Sequence, residues 1–136
     1  MGRRLIELIL AIKRKCQGTE ERIQAELGLS PAEFNGLTVL DETQEVSGCE
    51  FAGRMTLSPS RGSRVLNRLV SDGYVRTRVS PEDRRTILVA LTPAGRQVKQ
   101  QIIGHMDACE QRIYAGLDPQ SAEQVESALE ILDRVL

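Results

Sequence analysis

The feature that most constrains how this chain can fold is the stretch 57–95, where two kinds of hydrophobic spacing follow each other. The stretch begins with apolar residues at helical spacing, continues with two short runs rich in β-branched residues, and ends where helical spacing resumes. Pro81 and its neighbours supply turn-forming residues between the two runs. A helix, a β-hairpin and a second helix are therefore predicted in that order.

The same stretch is rich in arginine, and the arginines follow the predicted elements. Seven lie within it: Arg61, Arg64, Arg68, Arg76, Arg78, Arg84 and Arg85. A helix that carries arginines, followed by a hairpin with arginines at its tip, is typical of a winged helix-turn-helix. In that arrangement the helix enters the major groove of DNA, and the hairpin, or wing, reaches the adjacent minor groove or the backbone. The pattern therefore predicts DNA binding.

The local charge agrees with this prediction, although the net charge of the chain does not. The 136 residues include 18 basic and 19 acidic ones, a net charge of −1. Residues 54–96 hold nine arginines and three acidic residues, which gives +6 there and leaves −7 for the rest. Exposed charges more than about 10 Å apart are largely screened at 0.1 M salt, so phosphate attraction depends on the local charge. A solvated charged face is the alternative interpretation.

Capping signals mark the helix boundaries. Ser30, Ser47 and Ser58 each precede a predicted helix, and Glu33 and Glu50 stand where they would complete two capping boxes. The predicted elements are helices at about 3–27, 31–42, 48–54, 59–71, 93–115 and 119–136, and strands at 74–79 and 86–91. The inward face of the fourth helix is predicted to consist of Val65, Leu66, Leu69 and Val70.

Both ends of the chain carry more apolar residues than one packing face requires. At the start they are Leu5, Ile6, Ile9, Leu10 and Ile12, and at the end they are Leu129, Leu132, Val135 and Leu136. Exposed apolar stripes of this size usually mark an interface. The terminal helices are therefore predicted to join two copies of the chain.

The hairpin and the helix after it resemble one known family. The segment DRRTILVALTPAG at 83–95 combines an acidic residue and arginines, an apolar return strand, and Leu-Thr-x-x-Gly leading into a helix. It resembles the wing of the MarR family of bacterial transcription regulators. The segment SPSRGSRVLNRLVSDGYV at 58–75 is similar to the recognition helix of that family. The resemblance covers residues from about 29 to 95, and the predicted element order fits the family plan of α-α-α-α-β-β-α-α.

The resemblance implies a mainly α (α+β) fold in a single domain, residues 1–136. A winged helix-turn-helix part with a two-stranded wing would occupy about 30–95, and a helical dimerisation part about 3–27 and 96–136. The implied function is a transcription regulator, a repressor, that binds a pseudo-palindromic operator on double-stranded DNA as a homodimer. A small-molecule effector or an oxidant would release it. The alternative is a winged-helix module that binds protein rather than DNA.

The candidate DNA-binding residues fall into two groups. On the recognition helix they are Ser58, Ser60, Arg61, Ser63, Arg64 and Arg68. In the wing they are Arg84 and Arg85, and the resemblance implies that Asp83 supports them through a carboxylate–guanidinium contact. Arginine can bind guanine in bidentate fashion, and serine can bond a base edge or a phosphate. Solvated helix surface, capping and a simple surface ion pair are the alternatives for these residues.

Gly62 departs from the family pattern, which usually has an apolar or small β-branched residue at this point of the recognition helix. A glycine inside a helix costs about 1 kcal/mol relative to alanine. Two interpretations are open: the glycine lets the backbone approach DNA closely, or it has no specific role.

Other functional classes are disfavoured by what the sequence lacks. Its three cysteines are widely spaced and form no CxxC pair, which indicates a reducing cytoplasm. Cys16 follows three basic residues and is the candidate redox residue, with a structural role as the simpler interpretation. No Cys-His or Ser-His arrangement supports an enzyme, the single histidine argues against a metal site, and no cofactor is expected. The longest apolar run is too short to span a membrane, and no secretory signal is predicted.

Overall fold

The computed structural model of the chain describes residues 2–136. Within that range six helices and three short strands give a mainly α fold with a small antiparallel sheet, so the predicted fold class is confirmed. In chain order the elements are α1 Leu5–Leu27, α2 Pro31–Val39, β1 Val46–Ser47, α3 Gly48–Arg54, α4 Pro59–Ser71, β2 Val75–Val79, β3 Ile87–Leu91, α5 Pro93–Ala115 and α6 Pro119–Val135. The chain divides into two compact units, one reaching to Ile102 and the other running Ile103–Leu136.

The helix starts follow the capping signals of the sequence, with one difference. Ser30 Oγ accepts a hydrogen bond from the Glu33 N–H at 3.1 Å, and the Glu33 carboxylate accepts one from the Ser30 N–H at 3.2 Å. Ser47 Oγ likewise accepts from the Glu50 N–H at 3.0 Å, but the Glu50 carboxylate accepts from Arg54 instead, also at 3.0 Å. The second predicted capping box is therefore only half formed, because a nearby guanidinium takes the carboxylate.

The C-terminus of α2 is fixed by burial and by a lysine. The helix ends at Val39, three residues before the predicted end at 42, and the extended Leu40 that follows is fully buried. Lys99 of α5 donates hydrogen bonds to the carbonyl oxygens of Thr38 and Leu40. A cation here satisfies carbonyl groups that a helix end leaves free and complements the helix dipole. Partial burial lowers the pKa of Lys99 below its usual value.

The three strands form one antiparallel sheet in the order β1-β3-β2. β2 and β3 are the predicted hairpin, with Val75 opposite Leu91 at its base and Val79 opposite Ile87 near its tip. β1 has only two residues, too few to show an alternating pattern, and residue spacing does not predict it. The predicted two-stranded wing is thus part of a three-stranded sheet.

The core of the first unit joins its helices to the sheet. Its largest fully buried side chains are Phe51, Leu37, Leu40, Leu69, Leu91, Ile102 and Val89. From α4, Leu66 and Leu69 are buried as predicted, whereas Val70 is 42% exposed and its prediction as an inward residue is wrong. Successive helical residues turn by about 100°, which takes Val70 past the edge of the buried stripe.

Gly62 brings α3 and α4 close together. It is buried, and a Cβ placed on it would lie 2.5 Å from the Cβ of Ala52 in α3. The contact between the two helices therefore leaves no room for a side chain at this position. Both interpretations left open by the sequence are therefore wrong. Gly62 faces α3, so it does not let the backbone approach DNA, and it has a specific role in packing.

Thr92 joins the base of the hairpin to the start of α5. Its Oγ1 donates to the carbonyl oxygen of Gly73 at 2.6 Å and accepts from the Gly95 N–H at 3.0 Å, and its N–H donates to the carbonyl oxygen of Tyr74 at 3.0 Å. A Cβ on Gly95 would lie only 1.9 Å from that Tyr74 oxygen. The Leu-Thr-x-x-Gly pattern therefore has a packing reason, since α5 starts directly against the backbone that leads into β2.

We expect Gly62→Ala to lower the free energy of unfolding by about 1–3 kcal/mol, because the added methyl group must push α3 away from α4. Gly18→Ala in α1 is the matched control: nothing lies within 4 Å of a Cβ there, so helix propensity should raise stability by about 1 kcal/mol. Adding Ala52→Gly to Gly62→Ala should recover part of the loss. Urea denaturation measures all four proteins, and a Gly62→Ala protein as stable as the wild type would contradict the packing role.

Candidate nucleic-acid interface

The candidate interface is built on α4 and on the hairpin of β2 and β3, called the wing below. α4 begins at Pro59 after the N-cap Ser58, whose Oγ accepts a hydrogen bond from the Arg61 N–H at 3.3 Å. Ser58 Oγ also lies 3.4 Å from the hydroxyl of Ser60. The hydroxyl of Ser58 is therefore engaged in starting the helix.

The turn from α3 into α4 contains a strained residue. Thr56 has a φ of 59°, a left-handed conformation that is unusual for a β-branched residue. Its N–H donates to the carbonyl oxygen of Gly53 at 3.0 Å, and the N–H of Leu57 donates to that of Ala52 at 2.9 Å. These bonds fix the direction in which α4 leaves α3.

The six sequence-predicted residues of α4 are all exposed, and they lie outside the buried stripe of the helix. At about 100° per residue, Arg64 lies opposite that stripe, Arg61 and Arg68 lie on one flank, and Ser63 lies on the other. Arg68 Nε is 3.8 Å from a carboxylate oxygen of Asp72, one turn later. Arg61 and Arg64 form no ion pair with any residue in 2–136.

The turn of the wing is organised by Ser80 and Asp83. The Ser80 N–H donates to the carbonyl oxygen of Thr86 at 2.9 Å, and its hydroxyl accepts from the N–H groups of Glu82 and Asp83 at 3.3 and 3.4 Å. Asp83 Oδ1 accepts from the Arg85 N–H at 3.0 Å, and its Oδ2 accepts from the Thr86 hydroxyl at 3.3 Å. The turn is thus held by short polar side chains bonded to its own backbone.

The role of Asp83 differs in detail from the one the resemblance implies. Its carboxylate bonds a backbone N–H and a threonine hydroxyl, and among the described residues it makes no contact with a guanidinium group. The carboxylate therefore closes the turn through the Arg85 backbone and the Thr86 side chain. Arg84 and Arg85 are both exposed and have no ion pair in the part of the chain that is described.

The contacts of their side chains divide the nine arginines at 54–96 into three groups. Three are paired with carboxylates: Arg54 with Asp41 and Glu50, Arg68 with Asp72, and Arg78 with Glu45. Arg96 donates to the carbonyl oxygen of Leu91 at 3.2 Å. The other five have neither an ion pair nor a side-chain hydrogen bond within residues 2–136: Arg61, Arg64, Arg76, Arg84 and Arg85. The hydrogen bonds from Arg78 lower the pKa of the Glu45 carboxyl, so that pair stays charged over a wider pH range.

Two further residues belong to the candidate surface, although the sequence pattern does not mark them as contacts. Arg76 is exposed on β2 and is one of the five arginines with neither an ion pair nor a side-chain hydrogen bond in the described part of the chain. Asn67 is exposed on α4, three residues after Arg64 and on the same side of the helix. Helical spacing from Arg64 would have found Asn67, whose amide can pair with adenine. The sequence pattern does not distinguish Arg76 from Arg78, because only the structure shows that Arg78 has an ion pair and Arg76 has none among the described residues.

Cys16 is exposed on α1 beside a surface cleft of about 430 Å³. The cleft is lined by Lys13, Cys16, Gln17, Glu20, Glu21, Gln24, Pro31 and Asn35. Cys49 is also exposed, Cys109 is half-buried, and all three thiols are free. Residues 2–136 contain no group of three or more His, Cys, Asp or Glu side chains placed to bind a metal ion. None of the helices described combines the length and apolar content that crossing a bilayer requires.

Comparisons with known proteins point to one family. The family model described as MarR family matches residues 29–87. The transcriptional repressor YetL of Bacillus subtilis is 29% identical over 133 residues, covering 93% of this chain and 77% of YetL. YdgJ of the same organism, an uncharacterized HTH-type transcriptional regulator, is 33% identical over 76 residues, covering 56% of this chain and 46% of YdgJ. The chain spans about half the length of the first curated relatives it matches.

A solved structure agrees with the sequence matches. The crystal structure of wild-type MarR from E. coli in its apo form has a TM-score of 0.80 against this chain, at 22% identity, and covers 97% of this chain and 98% of that one. At this identity the likeness concerns the fold. It includes the helix order and the wing, and the family match covers α4 and most of the wing. Residues 29–87 of this chain therefore match the MarR family, and the chain has the winged-helix fold.

Proposed function

We propose that this chain is a DNA-binding transcription regulator, with α4 in the major groove and the wing on the adjacent minor groove or backbone. The observation that carries the proposal is the set of exposed arginines without ion pairs on both elements, represented by Arg61 and Arg64 on α4 and by Arg84 and Arg85 in the wing. Such guanidinium groups can bind phosphates or guanine without first breaking an ion pair. The serines of α4 then supply short contacts to phosphate or base edges.

The regulator acts as a homodimer on a pseudo-palindromic operator. α6 buries none of its residues within the chain, and Leu129 and Val135 on it are 52% and 72% exposed. Leu5 and Ile12 on α1 are 64% and 53% exposed. Residues at about 3–27 and 96–136 then form the dimerisation part, and those at about 30–95 bind DNA. Two recognition helices related by a two-fold axis reach half-sites about 34 Å apart, one helical turn of DNA.

Repression and release by a signal complete the proposal. YetL, which aligns over most of this chain, is described as a transcriptional repressor, and a repressor needs a means of leaving its operator. The cleft beside Cys16 is large enough for a small-molecule effector, and the exposed thiol is accessible to an oxidant. A regulator of this kind meets its DNA in the cytoplasm.

Duplex binding should show the salt dependence of phosphate contacts, and the natural probe is the DNA immediately upstream of the reading frame of this chain. The log of the binding constant should fall against log salt by about 0.9 per phosphate contacted. Arg84→Ala with Arg85→Ala should flatten that slope by about one unit per lost contact. Arg14→Ala with Arg22→Ala, two charges removed from α1, should leave the slope unchanged. If the chain binds no duplex but does bind a protein partner, the result would favour the alternative, a winged-helix module that binds protein rather than DNA.

The contacts of Asp83 separate a structural effect from an electrostatic one. Asp83→Ala removes both carboxylate acceptors that Asp83 gives to the wing turn, so it should weaken operator binding even though it removes a negative charge. Asp83→Asn keeps Oδ1 for the Arg85 N–H, removes the charge, and replaces Oδ2 by an amide that can donate to the Thr86 hydroxyl instead of accepting from it. Its affinity should therefore match or exceed that of the wild type. Both are measured at two salt concentrations. Tighter binding by Asp83→Ala at both would refute the support role of Asp83.

The dimer is tested by a charge on α6. Leu129→Glu should convert the protein from dimer to monomer in sedimentation at micromolar concentration, and operator affinity should fall with it. Leu129 is 52% exposed in the single chain, so the monomer should stay folded. Ser127→Glu adds the same charge elsewhere on α6 and should leave the dimer intact. A stable wild-type monomer at these concentrations would contradict the dimer.

A further inference from the structure

The segment that leads into α3 holds an ion pair to the wing. Glu45 lies immediately before β1, and Arg78 lies on β2. Nε of Arg78 donates to Oε2 of Glu45, and Nη2 of Arg78 donates to Oε1, both at 2.8 Å. Two parallel hydrogen bonds between planar groups fix orientation as well as distance. The contact is therefore directional, unlike a single charge pair.

The ion pair connects two parts of the sheet that do not pair through their backbones. In the order β1-β3-β2, the strand β3 lies between the other two. Ser47 is opposite Leu88, and Leu88 is opposite Arg78, so the contact from Glu45 to Arg78 reaches across β3. β1 has only two residues in register with β3. Apart from the ion pair, the connection within the sheet between β2 and this segment runs through β3.

The same segment is continuous with the helix-turn-helix. Ser47, two residues after Glu45, is the N-cap of α3. α3 in turn packs against α4 where a Cβ on Gly62 would meet Ala52. A continuous series of contacts therefore leads from the first strand of the wing, through Glu45 and α3, to α4.

Exposure shows that the ion pair matters little for stability. The side chains of Arg78 and Glu45 are 54% and 32% exposed, and exposed ion pairs contribute little to the free energy of unfolding. The outer part of the wing has little packing of its own, because Val79 and Ile87 are 57% and 51% exposed. Arg78 precedes Val79 directly, so its ion pair with Glu45 holds the wing where the packing of the wing side chains ends. A hairpin held before binding loses less conformational freedom on binding.

We propose that Glu45 is a positioning residue of the DNA interface, which through Arg78 holds the wing at a fixed angle to α4. The arginines of α4 and of the wing turn then reach one DNA site together. This inference rests on the proposed DNA-binding function. It also gives Arg78 a structural role and leaves Arg76 as the arginine of β2 that is free to contact DNA.

The first test uses the free protein and does not depend on DNA. Amide hydrogen exchange in the outer part of β2 and β3 is compared between the wild type, Glu45→Gln and Arg78→Gln. Glu82→Gln is the control, since Glu82 is an exposed wing carboxylate without an ion pair in residues 2–136. We expect exchange to be faster by about twofold or more in Glu45→Gln and Arg78→Gln and unchanged in Glu82→Gln. A factor of about two corresponds to the weakest coupling that is usual between contacting residues. Equal exchange in all four proteins would overturn the inference.

The second test compares affinity for an operator with affinity for a scrambled duplex of the same length and at the same salt. If Glu45 and Arg78 acted only as charges, Glu45→Gln would tighten and Arg78→Gln would weaken binding to both duplexes alike. Positioning instead predicts that each single variant lowers the operator-to-scrambled ratio by about threefold to tenfold. The double variant should then be no worse than either single one. Glu82→Gln should leave the ratio unchanged.

The charge-reversed pair decides between positioning and simple loss of a contact. Glu45→Arg with Arg78→Glu keeps the net charge and allows the ion pair to re-form, so the ratio should return towards the wild-type value. A Glu45→Gln ratio equal to that of Glu82→Gln would overturn the inference. Wild-type protein that binds neither duplex would overturn the proposed function, and the exchange measurement would still report separately whether Glu45 holds the wing.

Discussion

The winged-helix part of this protein depends on the junction where α4, the wing and α5 meet. Thr92, the residue immediately before α5, forms hydrogen bonds with the backbone of Gly73, Tyr74 and Gly95. The close approach of Gly95 to the Tyr74 carbonyl makes this junction possible. Both ends of the wing are therefore anchored at one point, immediately after the last turn of α4. The wing can extend into solvent because the hydrogen bonds at its base hold it, so it does not depend on packing along its length.

A second close approach sets the direction in which α4 faces. Since Gly62 lies against Ala52, one side of α4 is held against α3, and the opposite side is left to solvent. The strained Thr56 turn connects the two helices over a short distance. Backbone strain of this kind persists only where the surrounding structure determines it. The exposed face of α4 is thus a consequence of how its hidden face packs.

Much of the fold could be predicted from the sequence because its signals are local. A serine cap, a proline at the first helical position and a change of hydrophobic spacing each act within a few residues. They place the helix starts and the hairpin correctly, although α2 ends three residues earlier than predicted. Contacts between distant residues could not be predicted in this way. The strand β1, the partner of Glu45 and the neighbour of Gly62 all depend on which segments meet in three dimensions. The prediction that Val70 faces inward is wrong for the same reason, since only the packing of the helices determines where a buried stripe ends.

The candidate site illustrates the same division between residue type and role. Arginine content alone marks 54–96 as basic, but it does not separate arginines that hold the structure from those that can meet DNA. Arg54 bonds the carbonyl oxygen of Val39 at 3.0 Å and two carboxylates, so it ties α2 to α3. Arg78 ties the wing to the segment before α3. Because each such pair cancels a charge while fixing a position, the positive field is concentrated where no carboxylate pairs with it, on the outer side of α4 and at the turn of the wing. If the chain binds DNA as proposed, the acidic residues of this region act on that binding indirectly, because they determine which arginines have no ion pair.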